Sequence, residues 1–261
     1  MNTAYIKMAS FKNLFYFVSP VVTVLFVWWL IGIFKLVNPL FLPNISDTFV
    51  SLFRLITKNE IYYGVILTIF RAFSGLILAA IIGIPAGLLL AKVPKLHRFV
   101  ELPIEFLRSV PPSALFPLFM LFFGIGDSSK SAVVFYACSL ILLINSYYGG
   151  LPNQEKIDRI NMLRTFGASN SQIFFIAVIR DAIPNISAGL RVCLSYSLAL
   201  VVVTEMFLGA NEGLGKMIYD YYLQYRIPEM YAVIIILGLT GFVLNQFYGY
   251  FEKKFLFWKP E

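Results

Sequence analysis

Histidine occurs once in the chain, at His97, and cysteine twice, at Cys138 and Cys193, both inside apolar runs. A His-built metal site and a disulfide framework are therefore not expected. Charge is scarce as well: 13% of the 261 residues are Asp, Glu, Lys or Arg, and 59% are hydrophobic. Soluble domains carry about 25% charged residues, so a single soluble core does not account for this composition. Hydrolase and redox signatures such as H-E-x-x-H and G-x-S-x-G do not occur. The nearest approach to a nucleotide loop, Gly213-Leu-Gly-Lys216, lacks the G-x-x-x-x-G-K-[ST] spacing, so no cofactor is expected on this chain. A second soluble domain, internal repeats and low-complexity tracts are not evident either. What remains is an all-α, polytopic membrane protein, read as one transmembrane domain over residues 1–261.

Six apolar stretches predict six spans. The first covers 14–37, after Lys7 and Lys12, and has neither the short core nor the small-residue cleavage site of a signal peptide. Residues 38–60 mix Asn38, Pro39, Pro43 and charged groups with Val50, Leu52, Phe53, Leu55 and Ile56, a pattern suited to lying along a membrane surface. The second run, 61–91, exceeds the ~20 residues a span requires, and Pro85 is a candidate kink. Within 99–125 the segment Arg108-Ser-Val-Pro-Pro-Ser113 interrupts the apolar pattern, so the third span is expected to start at Pro111 or Pro112. A fourth span is expected over 131–148, a fifth over 185–208, and a sixth over 230–251, with external turns at 124–130 and 209–229.

Basic residues orient these spans. Twelve Lys and Arg fall on one side, six on the other and three (Arg71, Arg108, Arg191) in or at the ends of spans. The positive-inside rule then places both termini and residues 151–184 in the cytoplasm. The net charge of +7 is divided among separated clusters near span ends, which suits membrane orientation rather than a nucleic-acid face.

Residues 151–184 form the longest polar interruption in the chain. Ile157, Ile160, Leu163 and Phe166 recur at intervals of three, an apolar stripe on a short helix. Gly167 ends the pattern as a C-terminal glycine does, and Ser169-x-x-Gln172 is a capping box opening a second helix. The result is a positively charged helix–glycine–helix knuckle carrying Lys156, Arg159, Arg164 and Arg180.

Arg164-Thr-Phe-Gly-Ala-Ser169, followed by a helix ending in Ile183-Pro184, resembles the EAA loop of ABC-importer permeases. The three Glu-Ala-Ala positions are here Asn161, Met162 and Leu163, and the first Leu-Pro of the motif is Ile179-Arg180. Residues 107–130, Thr68-x-x-Arg71-x-x-x-Gly75 with Gly-Ile-Pro-Ala-Gly at 83–87, and Thr204-Glu-Met206 with Gly213-Leu-Gly215 are similar to segments of the sulfonate, nitrate and taurine branch. The resemblance covers residues from roughly 60 to 250. It implies a type I importer permease in the bacterial inner membrane. The partners it implies are a second permease copy, as a homodimer rather than a heterodimer, two cytoplasmic ATPase subunits that bind ATP, and an external solute-binding protein. It further implies that Arg159, Leu163, Arg164, Thr165, Phe166, Gly167, Ala168 and Ser169 couple the chain to the ATPase.

Ionisable groups inside a membrane cost ~3 kcal/mol or more near its centre and usually face a cavity or a partner. Arg71 and Glu205 are therefore candidates for a translocation path, with Asn145 and Ser195 as further polar groups; the alternative is that Arg71 snorkels or pairs with Glu205. The leading expectation for the substrate is an organic sulfonate or a nitrate-like small anion, with a pyrimidine-like solute as an alternative. An ion-coupled carrier or channel without an ATPase is the competing class. It predicts buried acidic residues or inverted repeats, and the spans offer few acidic candidates apart from Glu205.

Overall fold

A computed structural model describes the backbone over residues 3–207 and 209–255 and the side chains over 18–207 and 209–254. Lys7 and Lys12, which precede the first apolar run, lie outside the described side chains. The described residues are helical and contain no strand.

Helix α1 (Thr3–Ile33) occupies the first apolar run and ends four residues before expected. The short α2 (Ile45–Ile56) follows, burying Thr48, Ser51, Leu52 and Leu55 while Val50, Phe53 and Ile56 stay exposed. This is the amphipathic element anticipated in residues 38–60. The chain divides into two compact units, one formed by residues 1–61 with 218–236 and the other by 62–217 with 237–261. In the smaller unit Trp28 donates its indole N–H to the Pro43 carbonyl at 2.9 Å, and Tyr231 donates its hydroxyl to the Phe41 carbonyl at 2.8 Å.

Among the described residues four helices are long and apolar enough to cross a membrane: α3 (Asn59–Lys92), the composite helix from Asn170 to Phe207, α6 (Asp127–Gly150) and α11 (Ile227–Phe255, with the qualifying stretch ending at Lys254). Pro85 sits inside α3. The third span differs from expectation. Helix α4 (Pro94–Ser109) and the segment Pro112–Phe123 pass the test only together, and they meet at a bend of 87°. The second segment is a 3-10 turn (Pro112–Leu115) running into α5 (Phe116–Phe123). At 1.5 Å per residue its length is about 18 Å, short of the ~30 Å of hydrocarbon. Pro112 does stand in the first turn, where its missing N–H leaves no bond unmade. With that pair the described residues supply up to five spans, and α1 contributes a shorter apolar stretch, Val18–Ile33.

The fifth helix begins well before residue 185. After α7 (Gln154–Thr165), a four-residue turn α8 (Asn170–Ile173) passes through a π-type stretch (Phe174–Ile179) into α9 (Arg180–Phe207), which carries Pro184 in its interior. The loop expected over 209–229 holds a helix of its own, α10 (Leu214–Leu223).

The core of the larger unit lies where α3, α6 and α9 meet. Ala72, Leu76, Ala79, Val133, Val134, Ala137, Leu142, Leu194 and Val201 are all buried there. Small side chains suit this position, because lipid-embedded helices associate through close packing rather than through exclusion of water. Half of the apolar stretch of the fifth span is buried against 17% of that of α11, so the fifth span is the more enclosed of the two. Cys138 and Cys193 are free, buried thiols on the facing sides of α6 and α9, each lying against the other's backbone carbonyl.

Candidate functional site

The knuckle is built by local signals that each close a backbone account. Asn153 opens α7 by accepting from the Lys156 N–H at 2.9 Å. At the other end the Gly167 N–H reaches the Arg164 carbonyl at 2.9 Å and the Ala168 N–H reaches the Leu163 carbonyl at 3.1 Å. These two bonds form the Schellman pattern, and Gly167 takes the left-handed φ of +75° that it requires. Ser169 and Gln172 then bond reciprocally, Ser169 N–H to Gln172 Oε1 at 2.8 Å and Gln172 N–H to Ser169 Oγ at 3.3 Å. Thr165 returns its hydroxyl to the Asn161 carbonyl at 2.8 Å.

This rigid turn presents an apolar side chain at its tip. Phe166 is 82% exposed, Met162 and Arg164 beside it are exposed, and α7 buries none of its residues. Of the stripe read from the sequence, Ile160 and Leu163 are half-buried and Ile157 and Phe166 are exposed. Two basic residues tie the knuckle to its own scaffold. Arg159 forms an ion pair with Asp181 at the start of α9. Lys156 caps the end of α6, donating to the carbonyls of Gly149 at 2.5 Å and Leu151 at 2.9 Å. Burial holds the Lys156 ammonium below its usual pKa, with Arg159 adding to and Asp181 opposing the effect.

A second constellation is buried. Arg71 on α3 donates through Nη1 to Glu205 Oε1 at 2.6 Å and to the Glu212 carbonyl at 2.7 Å, and through Nε to Asp127 Oδ1 at 2.7 Å. Glu205 also accepts from Thr68 Oγ1 at 2.9 Å and, through Oε2, from the Gly215 N–H at 2.8 Å. Thr68 in turn accepts from the Leu214 N–H at 3.0 Å. The loop after α9 is thus folded onto the carboxylate. A Cβ on Gly213 would lie 2.4 Å from the Glu205 carboxyl carbon, and one on Gly215 would lie 2.2 Å from the Val202 carbonyl oxygen. Lys130, also enclosed, gives its ammonium to the Gly126 carbonyl at 2.9 Å.

The four residues considered for a path are therefore placed in two ways. Arg71 and Glu205 pair with each other and are enclosed, 4% and 0% exposed. Asn145 donates to the Ile141 carbonyl at 2.9 Å and lines an open cleft of about 310 Å³ with Arg108, Ile144 and Tyr196. Ser195 accepts from Asn245 at 3.0 Å and lines a shallower groove with Arg191 and Tyr196. Ser197 is buried and bonded to the Leu194 carbonyl, and Tyr147 stacks on His97 with ring centroids 4.1 Å apart. Asp127 and Arg108 are not among the path residues expected from the sequence. An acid at the first turn of a span and an arginine before a Pro-Pro break were the available signals.

Comparison with known proteins gives these features a context. Residues 83–256 match the family described as "Binding-protein-dependent transport system inner membrane component". An ABC transporter permease protein of Methanocaldococcus jannaschii is 31% identical, over 89% of this chain and 88% of its own. The taurine transport system permease protein TauC of Escherichia coli is 25% identical over 94% and 90%, and the aliphatic sulfonates transport permease protein SsuC of Bacillus subtilis 28% over 89% and 83%. Among solved structures, an inward-facing MetNI methionine ABC transporter chain superposes with a TM-score of 0.62 at 23% identity, covering 73% of this chain and 93% of that one, a likeness of fold. The chain belongs to the binding-protein-dependent transport system inner membrane components, the permeases of ABC importers. Within that family its relatives include the taurine and sulfonate permeases, the branch its sequence motifs resemble.

Proposed function

We propose that this chain is the permease subunit of an ATP-driven importer, multi-pass in a bacterial cytoplasmic membrane with both termini inside. It forms the translocation path for a small anion, an organic sulfonate first, handed over by an external binding protein. Two copies of the chain pair across the path, and two ATPase subunits that bind ATP dock on residues 151–184. The observation that carries this reading is Phe166, held 82% exposed by the Gly167 turn at the tip of a basic knuckle. An apolar ring kept out of its own core in that way fits an apolar pocket on a partner. Arg164 supplies charge for acidic groups around such a pocket, whereas Arg159 holds the knuckle to α9 through Asp181. The relatives that transport taurine and aliphatic sulfonates support the choice of anion.

The test is capture of the solubilised chain and assay for co-purifying ATPase activity, beside an Arg164→Glu variant. Activity that the wild type brings down and the variant loses supports the reading. Capture of no ATPase by the wild type, under conditions that keep other such complexes intact, removes it.

A further inference from the structure

We infer that Arg108 is the anion-attracting group of a transit subsite in the cleft it shares with Asn145 and Tyr196. The inference rests on the reading of this chain as an anion path, and it names the residue that meets the solute there. Arg108 stands in the last turn of α4, just before the 87° bend into the 3-10 turn. Its side chain is exposed and forms no hydrogen bond or ion pair with any described residue. An unpaired guanidinium within a broken span is costly unless water or an anion solvates it. Arg71, by contrast, spends its donors on Asp127, Glu205 and a backbone carbonyl.

The surroundings of Arg108 offer space and polarity together. The cleft of about 310 Å³ admits a small organic sulfonate, and Asn145 and Tyr196 supply further polar groups on its wall. The backbone around Arg108 is fixed: Tyr136 donates its hydroxyl to the Leu107 carbonyl at 2.6 Å. A planar guanidinium with five donors matches an oxyanion through two parallel bonds, as an ammonium does not.

A neighbouring cleft that Arg108 also lines explains why such a site releases its ligand. That cleft, of about 200 Å³, also carries Glu101, Glu105 and His97. Neither carboxylate pairs with Arg108, and His97 lies 3.8 Å from Glu101. An anion attracted to the guanidinium also feels the negative charge of Glu101 and Glu105 in that cleft, so binding is weak. Transit requires that balance, favourable enough to enter and weak enough to leave.

The experiment uses membrane vesicles from cells making the complete importer, with methanesulfonate as the labelled probe at subsaturating concentration. Wild-type vesicles are expected to show ATP-driven uptake. Arg108→Gln is expected to lower it roughly tenfold or more, the loss of one charge-assisted contact, while ATPase capture is unchanged. Arg108→Lys retains an intermediate rate. Asn145→Asp, which keeps the arginine but adds a carboxylate to the wall, lowers uptake as well. Unchanged uptake in Arg108→Gln or in Asn145→Asp overturns the subsite and leaves the importer reading standing. Loss of bound phosphatidylglycerol from Arg108→Gln with uptake unchanged assigns the guanidinium to a lipid headgroup and also overturns it. Wild-type vesicles that capture an ATPase yet take up neither methanesulfonate nor nitrate overturn the anion reading itself, and the subsite with it.

Discussion

Arg71 and Glu205 illustrate what a buried charge demands of its neighbours. Glu205 accepts hydrogen bonds from a guanidinium, a hydroxyl and a backbone N–H, so its lone pairs are occupied although no part of it meets solvent. Removing one partner strands the other, which costs about 3–5 kcal/mol at buried pairs, whereas removing both costs less. Arg71→Gln and Glu205→Gln are each expected to lower the thermal midpoint of the detergent-solubilised chain markedly, and the double substitution to lower it by less than the two losses summed. Additive losses would show that the two residues act independently. Gly215 belongs to the same argument, since its Cβ would collide with the Val202 carbonyl oxygen at 2.2 Å. Gly215→Ala is expected to cost about 1–3 kcal/mol, the usual range for overpacking, read as a lower midpoint. An unshifted midpoint would mean that the loop moves freely off Glu205.

At the scale of elements, the knuckle was legible in the sequence because its determinants are local. A stripe at intervals of three, a glycine and an S-x-x-Q box follow one another directly over residues 157–172, and the turn forms around those same residues. Elements defined by distant partners were not legible in that way. Residues 71 and 205 are 134 positions apart, and the sequence left open whether they pair or line a path. Pro184 suggested a helix boundary, yet α9 runs through it from Arg180. The third run appeared to be a span beginning at a proline pair, and the backbone instead bends by 87° there. Helix α10 was hidden in the loop expected over 209–229, where it starts directly after Gly213; Gly209 and Gly213 both take positive φ. For the knuckle, Gly167→Val is expected to strain the φ of +75°, a region costing a non-glycine residue about 1–2 kcal/mol. ATP hydrolysis then proceeds with less transport per ATP; an unchanged ratio would show that the turn geometry does not set coupling. Phe166→Ala is expected to weaken ATPase capture while leaving the thermal midpoint of the chain unchanged, because the ring packs on nothing within its own core. A lowered midpoint with full capture would assign Phe166 to the fold.

For the whole molecule, the proposed function requires residues 151–184 to face the compartment that holds ATP. Cys138 and Cys193 are buried, so a thiol introduced on the knuckle reacts against a low background. Labelling of Phe166→Cys with a membrane-impermeant maleimide, in intact cells and in inverted vesicles, is the most direct measurement. The account predicts reaction only in inverted vesicles, and protection there once the ATPase subunits are added back. Reaction in intact cells would place the knuckle outside, away from ATP, and contradict it.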